Sequence, residues 1–104
     1  MDPVSRTQVY VIIPAYNEAR VISRVVSEVD RAGYTVIVVD DGSSDATAEL
    51  AQAAGATLIR HPFNLGQGAA LQSGIEYALA QGAECIVTFE CRRPAPGVRH
   101  LPPH

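Results

Sequence analysis

Two adjacent carboxylates, Asp40 and Asp41, stand where a β-branched run (residues 35–39, TVIVV) gives way to Gly42-Ser43-Ser44-Asp45. Neighbouring acids at the end of an apolar strand repel each other and lose hydration, so the pair is costly unless it meets hydroxyls, amide donors or a cation. A glycine turn followed by a capped helix accounts for Gly42, Ser44 and Asp45, but not for both acids. A second segment with chemical capacity is Pro14-Ala15-Tyr16-Asn17-Glu18. Proline fixes the exit direction of the chain, Tyr16 offers a flat face for a base or ribose, and Glu18 offers a carboxylate to hydroxyls or base N–H groups. The same residues also fit a plain helix start, with Asn17 as N-cap and Glu18 favouring the dipole. The third segment is His61-Pro62-Phe63-Asn64-Leu65-Gly66-Gln67-Gly68. Its two glycines let backbone approach a ligand closely, and the helix expected after it would turn free N–H groups toward an anion such as a diphosphate. It is not a dinucleotide fingerprint, because Leu71 stands where a third glycine is wanted and the segment follows the third strand.

The elements that must hold these segments alternate along the chain. Apolar, β-branched runs at residues 9–13, 35–39, 57–59 and 85–89 predict four short strands, and their near-continuous hydrophobicity suits a parallel sheet covered on both faces. Between them, Val21, Ile22, Val25, Val26 and Val29 form one helical stripe that Gly33 closes. A second helix is expected from a cap at Ser44 through Leu50 and Ala53 to Gly55, and a third carries Leu71, Ile75, Ala78 and Leu79 and stops at Gly82. Strand and helix in alternation give the α/β class, with a parallel sheet of about four strands, three helices and right-handed crossovers. In such sheets ligands bind outside the carboxyl ends of the strands, where all three chemical segments fall.

Composition narrows the chemistry further. The 104 residues are 47% hydrophobic and 18% charged, as in a globular domain, and the formal charge of −3 leaves no polycationic footprint for nucleic acid. There is no lysine: all eight basic side chains are arginine. That removes a P-loop phosphate clamp and Schiff-base chemistry. Cys85 and Cys91 do not form a closely spaced metal pair, and reduced thiols in a cytoplasmic chain are expected. No apolar run reaches the length of a membrane span, and residues 1–8 lack a hydrophobic signal core.

Taken in order, PAYNEA after the first strand, VVDDGSSD after the second and HPFNLGQGAAL before the third helix resemble the family 2 glycosyltransferases, nearest the branch of dolichyl-phosphate mannose synthase and the polyprenyl-phosphate sugar transferases. The resemblance covers residues 8–90 and implies a Rossmann-like GT-A fold, of which this is the nucleotide-diphospho-sugar-binding half-domain. It implies that Pro14, Ala15, Tyr16, Glu18, Val39, Asp40 and Asp41 line a nucleotide pocket, shaped also by Asn64, Gly66 and Gly68. It further implies a UDP- or GDP-linked sugar donor and a divalent cation, Mg²⁺ or Mn²⁺, bridging the diphosphate. By the same likeness the acceptor is a lipid-linked phosphate, and the intact protein is peripheral to the cytoplasmic membrane face.

The pattern breaks after the fourth strand. The family places an Asp-x-Asp motif there, often continuing Asp-Ala-Asp-Gly-Gln-His, whereas this chain has Glu90 at the first aspartate's place and no second acid. Glu90 is therefore the sole candidate for the metal position. The tail 91–104, CRRPAPGVRHLPPH, has four of the seven prolines and three of the eight arginines, with no helical or strand period. One inserted base would account for it; the alternatives are a naturally divergent tail, or a cationic one in which Arg92, Arg93 and Arg99 bind phosphate. The codons GAR-TGC-CGA-CGG-CCA-GCA-CC encode the observed Glu-Cys-Arg-Arg-Pro-Ala-Pro, and without the third base they encode Asp-Ala-Asp-Gly-Gln-His. A glycosyltransferase part that binds nucleotide but retains no catalytic residue, its tail out of frame, is the expectation. A non-catalytic nucleotide-binding or interaction module is the alternative; a receiver-like signalling domain is disfavoured because it needs a lysine.

Overall fold

The computed structural model describes residues 5–89. Glu90 and the segment 91–104 lie outside the described residues, and so do the metal position and the reading-frame expectation attached to them. After a short 3-10 turn at Arg6–Gln8, the chain runs β1 (Val9–Ala15), α1 (Ile22–Arg31), β2 (Thr35–Asp40), α2 (Thr47–Ala53), β3 (Thr57–Arg60), α3 (Gln67–Ala80) and β4 (Cys85–Thr88). The four strands form one sheet in the order β3-β2-β1-β4. Every pairing is parallel, with Ile12 opposite Ile37 and Thr88, and Val39 opposite Ile59.

Side chains alternate across the sheet and so build two cores. Val11, Ile13, Ala15, Val36 and Val38 face α1 and α2, where Ile22, Val26 and Ala51 meet them. Ile12, Ile37 and Val39 face α3, against Ala70 and Ala78. Ile12, Ile13, Ile37, Val38 and Val39 are wholly buried. Each contributes roughly 1.5–3 kcal/mol by burial alone. The α/β class and the four-strand, three-helix parallel sheet are as expected.

The third helix differs from its expected stripe. It lies on the sheet along small residues, Ala70, Gly74 and Ala78, spaced one helical turn apart, with Leu71 and Ile75 flanking. A Cβ at Gly74 would stand 2.5 Å from Ile12 Cγ2, so the helix axis sits closer to the sheet than larger residues would permit. Leu79, placed by periodicity in the apolar stripe, is 62% exposed, because that close line turns it outward. All three helices end as expected, with Gly33, Gly55 and Gly82 at positive φ just past their last turns.

The strand order positions the site. β1, β2 and β3 are laid down side by side, with α1 and α2 on one face. α3 then crosses the other face and delivers β4 to the opposite side of β1. The direction of winding therefore reverses between β1 and β4, and the carboxyl ends of these strands flank the crevice where parallel sheets of this kind take ligands. No helix among the described residues is long and apolar enough to cross a membrane.

Candidate functional site

The loop after β1 and the loop after β2 are stitched into one structure. Asn17 adopts φ +53, a left-handed conformation that asparagine tolerates. Its N–H donates to Ser43 Oγ (2.8 Å), and its Oδ1 accepts the Ser44 N–H (2.9 Å). The Glu18 N–H donates to Thr47 Oγ1 (2.9 Å), and the Thr47 hydroxyl donates to Asp45. Asp45 Oδ1 also accepts the Thr47 N–H, and Oδ2 accepts the N–H of Ala19. The hydrogen bond from the Thr47 hydroxyl is the chief reason Asp45 is held below the ordinary carboxylate value.

Two sequence expectations are corrected here. Ser44 does not cap α2: its N–H and hydroxyl both turn to Asn17, and Asp45 takes the free Thr47 N–H instead. Nor does Asn17 cap α1, which begins only at Ile22. The polar residues of PAYNEA and DGSSD thus hold two loops together across 26 or more residues of sequence, leaving the Tyr16 ring exposed. Tyr16 is 47% exposed, and Glu18 is partly buried.

Asp40 and Asp41 do not act as a pair, because successive strand residues point to opposite faces. Asp40 is fully buried on the α1 and α2 side, and neither of its carboxylate oxygens has a hydrogen-bond partner among the described residues. Arg60 Nε lies 3.6 Å away, with its Nη1 3.8 Å from Glu49. Asp41 turns to the α3 side, while its N–H extends the β1 ladder by donating to the Ala15 carbonyl (2.8 Å). Its Oδ1 accepts from His61 Nδ1 (2.8 Å) and the Leu65 N–H (2.9 Å), and its Oδ2 accepts the Gly66 N–H (2.8 Å). His61 Nε2 in turn meets Ser73 Oγ on α3 at 2.9 Å. A carboxylate partner requires the proton on Nδ1, so the neutral ring accepts the serine hydroxyl at Nε2. Burial acts to raise Asp41, but the hydrogen bonds from His61, Leu65 and Gly66 outweigh it and hold the carboxyl below its usual 3.8.

These contacts change what the loop after β3 can offer. The amides of Leu65 and Gly66, at the positive end of α3, are already taken by Asp41, and the Asn64 side chain also accepts from the Gly66 N–H at 3.0 Å. Gly42 fits because of this loop: a Cβ there would come within 2.5 Å of the Phe63 backbone. Gly68 has open space where a Cβ would go. A cleft of about 280 Å³ is lined by Gly42, Ser43, Arg60, His61 and Pro62, beside the paired ends of β2 and β3.

Each expected position can now be placed. Tyr16, Asn64 and Gly68 are accessible, Pro14, Glu18 and Gly66 partly so, and Asp41 is buried but central. Ala15 and Val39 are core residues on opposite faces, and Asp40 is buried away from Asp41. Among the described residues no three His, Cys, Asp or Glu side chains converge on a metal position. The acids at the end of β2 do not fit a divalent cation, since one is occupied by N–H donors and the other is paired with Arg60. His61 and Ser73 had no separate role in the sequence; a histidine 20 residues beyond an aspartate becomes its partner only through the fold.

A parallel sheet with a winding reversal, an exposed tyrosine at the exit of β1 and an acid fixed at the exit of β2 defines an open α/β class whose ligand crevice lies at the carboxyl ends of the strands. Residues 10–90 match the family described as "Glycosyl transferase family 2", and the chain belongs to it. A UDP-N-acetylglucosamine–dolichyl-phosphate N-acetylglucosaminyltransferase of Methanococcus voltae is 33% identical over 100 residues, covering 79% of this chain and 40% of the relative. Among solved structures, glucosyl-3-phosphoglycerate synthase of Mycobacterium tuberculosis, in complex with Mn²⁺, UDP and glucosyl-3-phosphoglycerate, has a TM-score of 0.61 at 25% identity, over 79% of this chain and 32% of that one. A mannosyltransferase of Pyrobaculum calidifontis, in complex with GDP-Man and Mn²⁺, has a TM-score of 0.56 at 28% identity, over 73% of this chain and 26% of that one. The GT-A glycosyltransferase fold is shared with both. The chain spans between 16% and 40% of the length of the curated relatives it matches.

Proposed function

We propose that residues 8–90 form the nucleotide-recognising part of a sugar transferase and bind the nucleoside end of a nucleotide diphosphate sugar. The observation that carries this is the placement of Tyr16, Glu18 and Asp41 just after the adjacent, parallel strands β1 and β2, whose exits are joined by the Asp41 N–H to the Ala15 carbonyl, beside the winding reversal. Tyr16 supplies a face for the base, Glu18 an acceptor for ribose hydroxyls, and Asp41 an ionised acceptor that does not reorganise on binding. Ala15 and Val39 contribute through backbone, being buried. The sugar is transferred to an acceptor by the whole protein of which these residues are the donor-binding part, and a polyprenyl phosphate is the acceptor by likeness to the dolichyl-phosphate relative.

Mg²⁺ or Mn²⁺ accompanies the nucleotide in solved relatives, but the described residues of this chain do not form its cage. Glu90 lies outside the described residues and no second acid follows it in the sequence, so the reading proposed for the 104-residue chain is weak, metal-independent nucleotide binding without sugar transfer. Titration with UDP-glucose and GDP-mannose, with and without Mn²⁺, tests this by calorimetry and amide chemical shifts. Saturable binding with shifts at Tyr16, Asp41 and Gly68 is expected, weakened about tenfold by Tyr16→Ala through loss of stacking. Absence of saturable binding, or metal-dependent turnover, would count against it. We propose also that residues 91–104 are out of frame; codons for Cys91 to Ala95 other than those given above would exclude it.

A further inference from the structure

A single large apolar side chain on a protein surface is ordinary. Phe63 (62% exposed) and Leu65 (50%) differ, because both stand on one short loop whose backbone is pinned. The His61 ring and the Leu65 and Gly66 N–H groups are fixed to Asp41, Asn64 Oδ1 accepts the Gly66 N–H, and the Phe63 backbone lies against Gly42. The two side chains are therefore displayed together. Their loop follows β3, so it lies at the carboxyl end of the parallel sheet, where the ligand crevice is. The same Asp41 that holds Leu65 donates its N–H to Ala15, the residue before Tyr16, so the apolar loop borders the exit of β1 and its exposed ring. In the strand order β3-β2-β1-β4, chain that continues from β4 leaves from the opposite edge of the sheet.

The charges at this end are consistent with one kind of partner. Arg20, in the loop after β1, and Arg24, in the first turn of α1, are exposed and make no ion pair among the described residues. The acids of the neighbouring segments are engaged or withdrawn: Asp45 accepts from Ala19 and Thr47, Glu49 faces Arg60, and Glu18 is partly buried. We infer that Phe63 and Leu65, together with Arg20 and Arg24, are the surface by which this end of the sheet meets a lipid bilayer with anionic headgroups. The apolar pair enters the interface, and the arginines meet lipid phosphates. This rests on the acceptor proposed above: a polyprenyl phosphate is confined to a bilayer with its phosphate at headgroup level, so the donor crevice has to face the membrane. Two side chains and two cations give reversible, salt-sensitive binding, well short of an anchor.

The chain has no tryptophan, so Phe63→Trp places a single indole in the loop. Leu79→Trp is the control, because Leu79 is 62% exposed near the end of α3, which runs back to the amino ends of the strands. Both variants of the 104-residue chain are titrated with mixed phosphatidylcholine and phosphatidylglycerol vesicles. A blue shift and quenching by brominated acyl chains are expected for the indole at position 63 and not for that at position 79. In flotation assays, Phe63→Ser with Leu65→Ser should weaken partition about tenfold. Arg20→Gln with Arg24→Gln should weaken it about tenfold on the mixed vesicles and far less on phosphatidylcholine alone. Circular dichroism checks that each variant is folded. No shift at position 63, equal shifts at both positions, or partition indifferent to the serine pair overturns the inference. A concentration-dependent shift without vesicles also overturns it, and assigns the loop to a second copy of the chain. Titration of the wild-type chain with UDP in the absence of vesicles separates the two readings: UDP binding without vesicle binding sinks this inference alone, and vesicle binding without UDP binding keeps it while sinking the nucleotide site.

Discussion

Asp41 Oδ1 and His61 Nδ1 lie 2.8 Å apart with both side chains almost wholly buried, so the end of β2 and the loop after β3 are joined by a desolvated, charge-assisted hydrogen bond. Two strand ends that are distant in sequence become one rigid surface. The chemistry assigned to Asp41 depends on that rigidity, and so does part of the stability of the fold.

The first expectation concerns acid. Although burial opposes it, Asp41 is held below its usual 3.8 by His61, Leu65 and Gly66. The folded state thus binds this proton less readily than the unfolded chain does. The stabilisation is present above about pH 4 and is lost as pH falls through the depressed folded value. Urea midpoints measured from pH 6 to pH 3 should fall on the acid side. Asp41→Asn should flatten that fall and lower stability at neutral pH by about 2–3 kcal/mol, as loss of a buried charged partner does. An acid limb of unchanged slope would assign the loss to other carboxyls.

Gly42 is the second point of leverage. Its φ of +76 disfavours any side chain, and a Cβ would stand 2.5 Å from the Phe63 carbonyl carbon and 2.6 Å from the Asn64 nitrogen. Neither neighbour is the flexible end of a side chain. Left-handed strain and backbone overlap together make Gly42→Ala cost about 2–4 kcal/mol. Because the same loop carries Leu65 and Gly66, hydrogen exchange at those two amides should accelerate more than at the centre of α3. Uniform acceleration would mean that the loop is not the segment displaced.

Much of the fold was legible in the sequence, and the reason is local. Residues 9–13 and 35–39 are nearly unbroken β-branched runs, and they became the two inner strands of a parallel sheet, buried on both faces. Helix ends were legible because Gly33, Gly55 and Gly82 each supply a backbone conformation that other residues resist. What stayed hidden depends on tertiary contact. Leu79 has the period of a core residue, but the Ala70, Gly74 and Ala78 line rotates it to solvent. Ser44 and Asn17 have the composition of caps yet bond to each other, since the loops they belong to meet only after β1 and β2 pair. Adjacent Asp40 and Asp41 look like a pair until strand alternation separates them. His61 and Ser73 are meaningful only through Asp41.

Two glycines of α3 should respond oppositely to alanine. In an exposed helix, Gly→Ala gains up to about 1 kcal/mol. Gly68 has open space around the new methyl group, so Gly68→Ala should stabilise the fold while weakening nucleotide binding if backbone meets ligand there. At Gly74 the methyl group would meet Ile12 Cγ2 at 2.5 Å and Val39 Cγ2 at 3.2 Å, and overpacking should outweigh the propensity gain, for a net loss of about 1–2 kcal/mol. Thermal melts of the two variants separate the effects. Stabilisation by both would mean that α3 can lift from the sheet without penalty.

Asp40 gives the last expectation. Its carboxylate is wholly buried, accepts no hydrogen bond among the described residues, and has Arg60 Nε at 3.6 Å, beyond ordinary hydrogen-bonding distance for such a pair. Arg60 is 54% exposed and is shared with Glu49, so water screens much of the attraction. A buried charge so weakly compensated adds little net stability, because its desolvation rivals its pairing. Asp40→Asn should therefore leave stability unchanged or raise it by about 1 kcal/mol. Arg60→Ala should lower it by about 1–2 kcal/mol, since it strips the remaining compensation from a buried acid. In the double variant that penalty should disappear, because nothing charged is left for Arg60 to answer. Urea unfolding of the four proteins in this cycle measures the coupling. A large loss in Asp40→Asn alone would mean that the carboxylate is held by a group bound beneath α2, and would turn attention from Arg60 to that group.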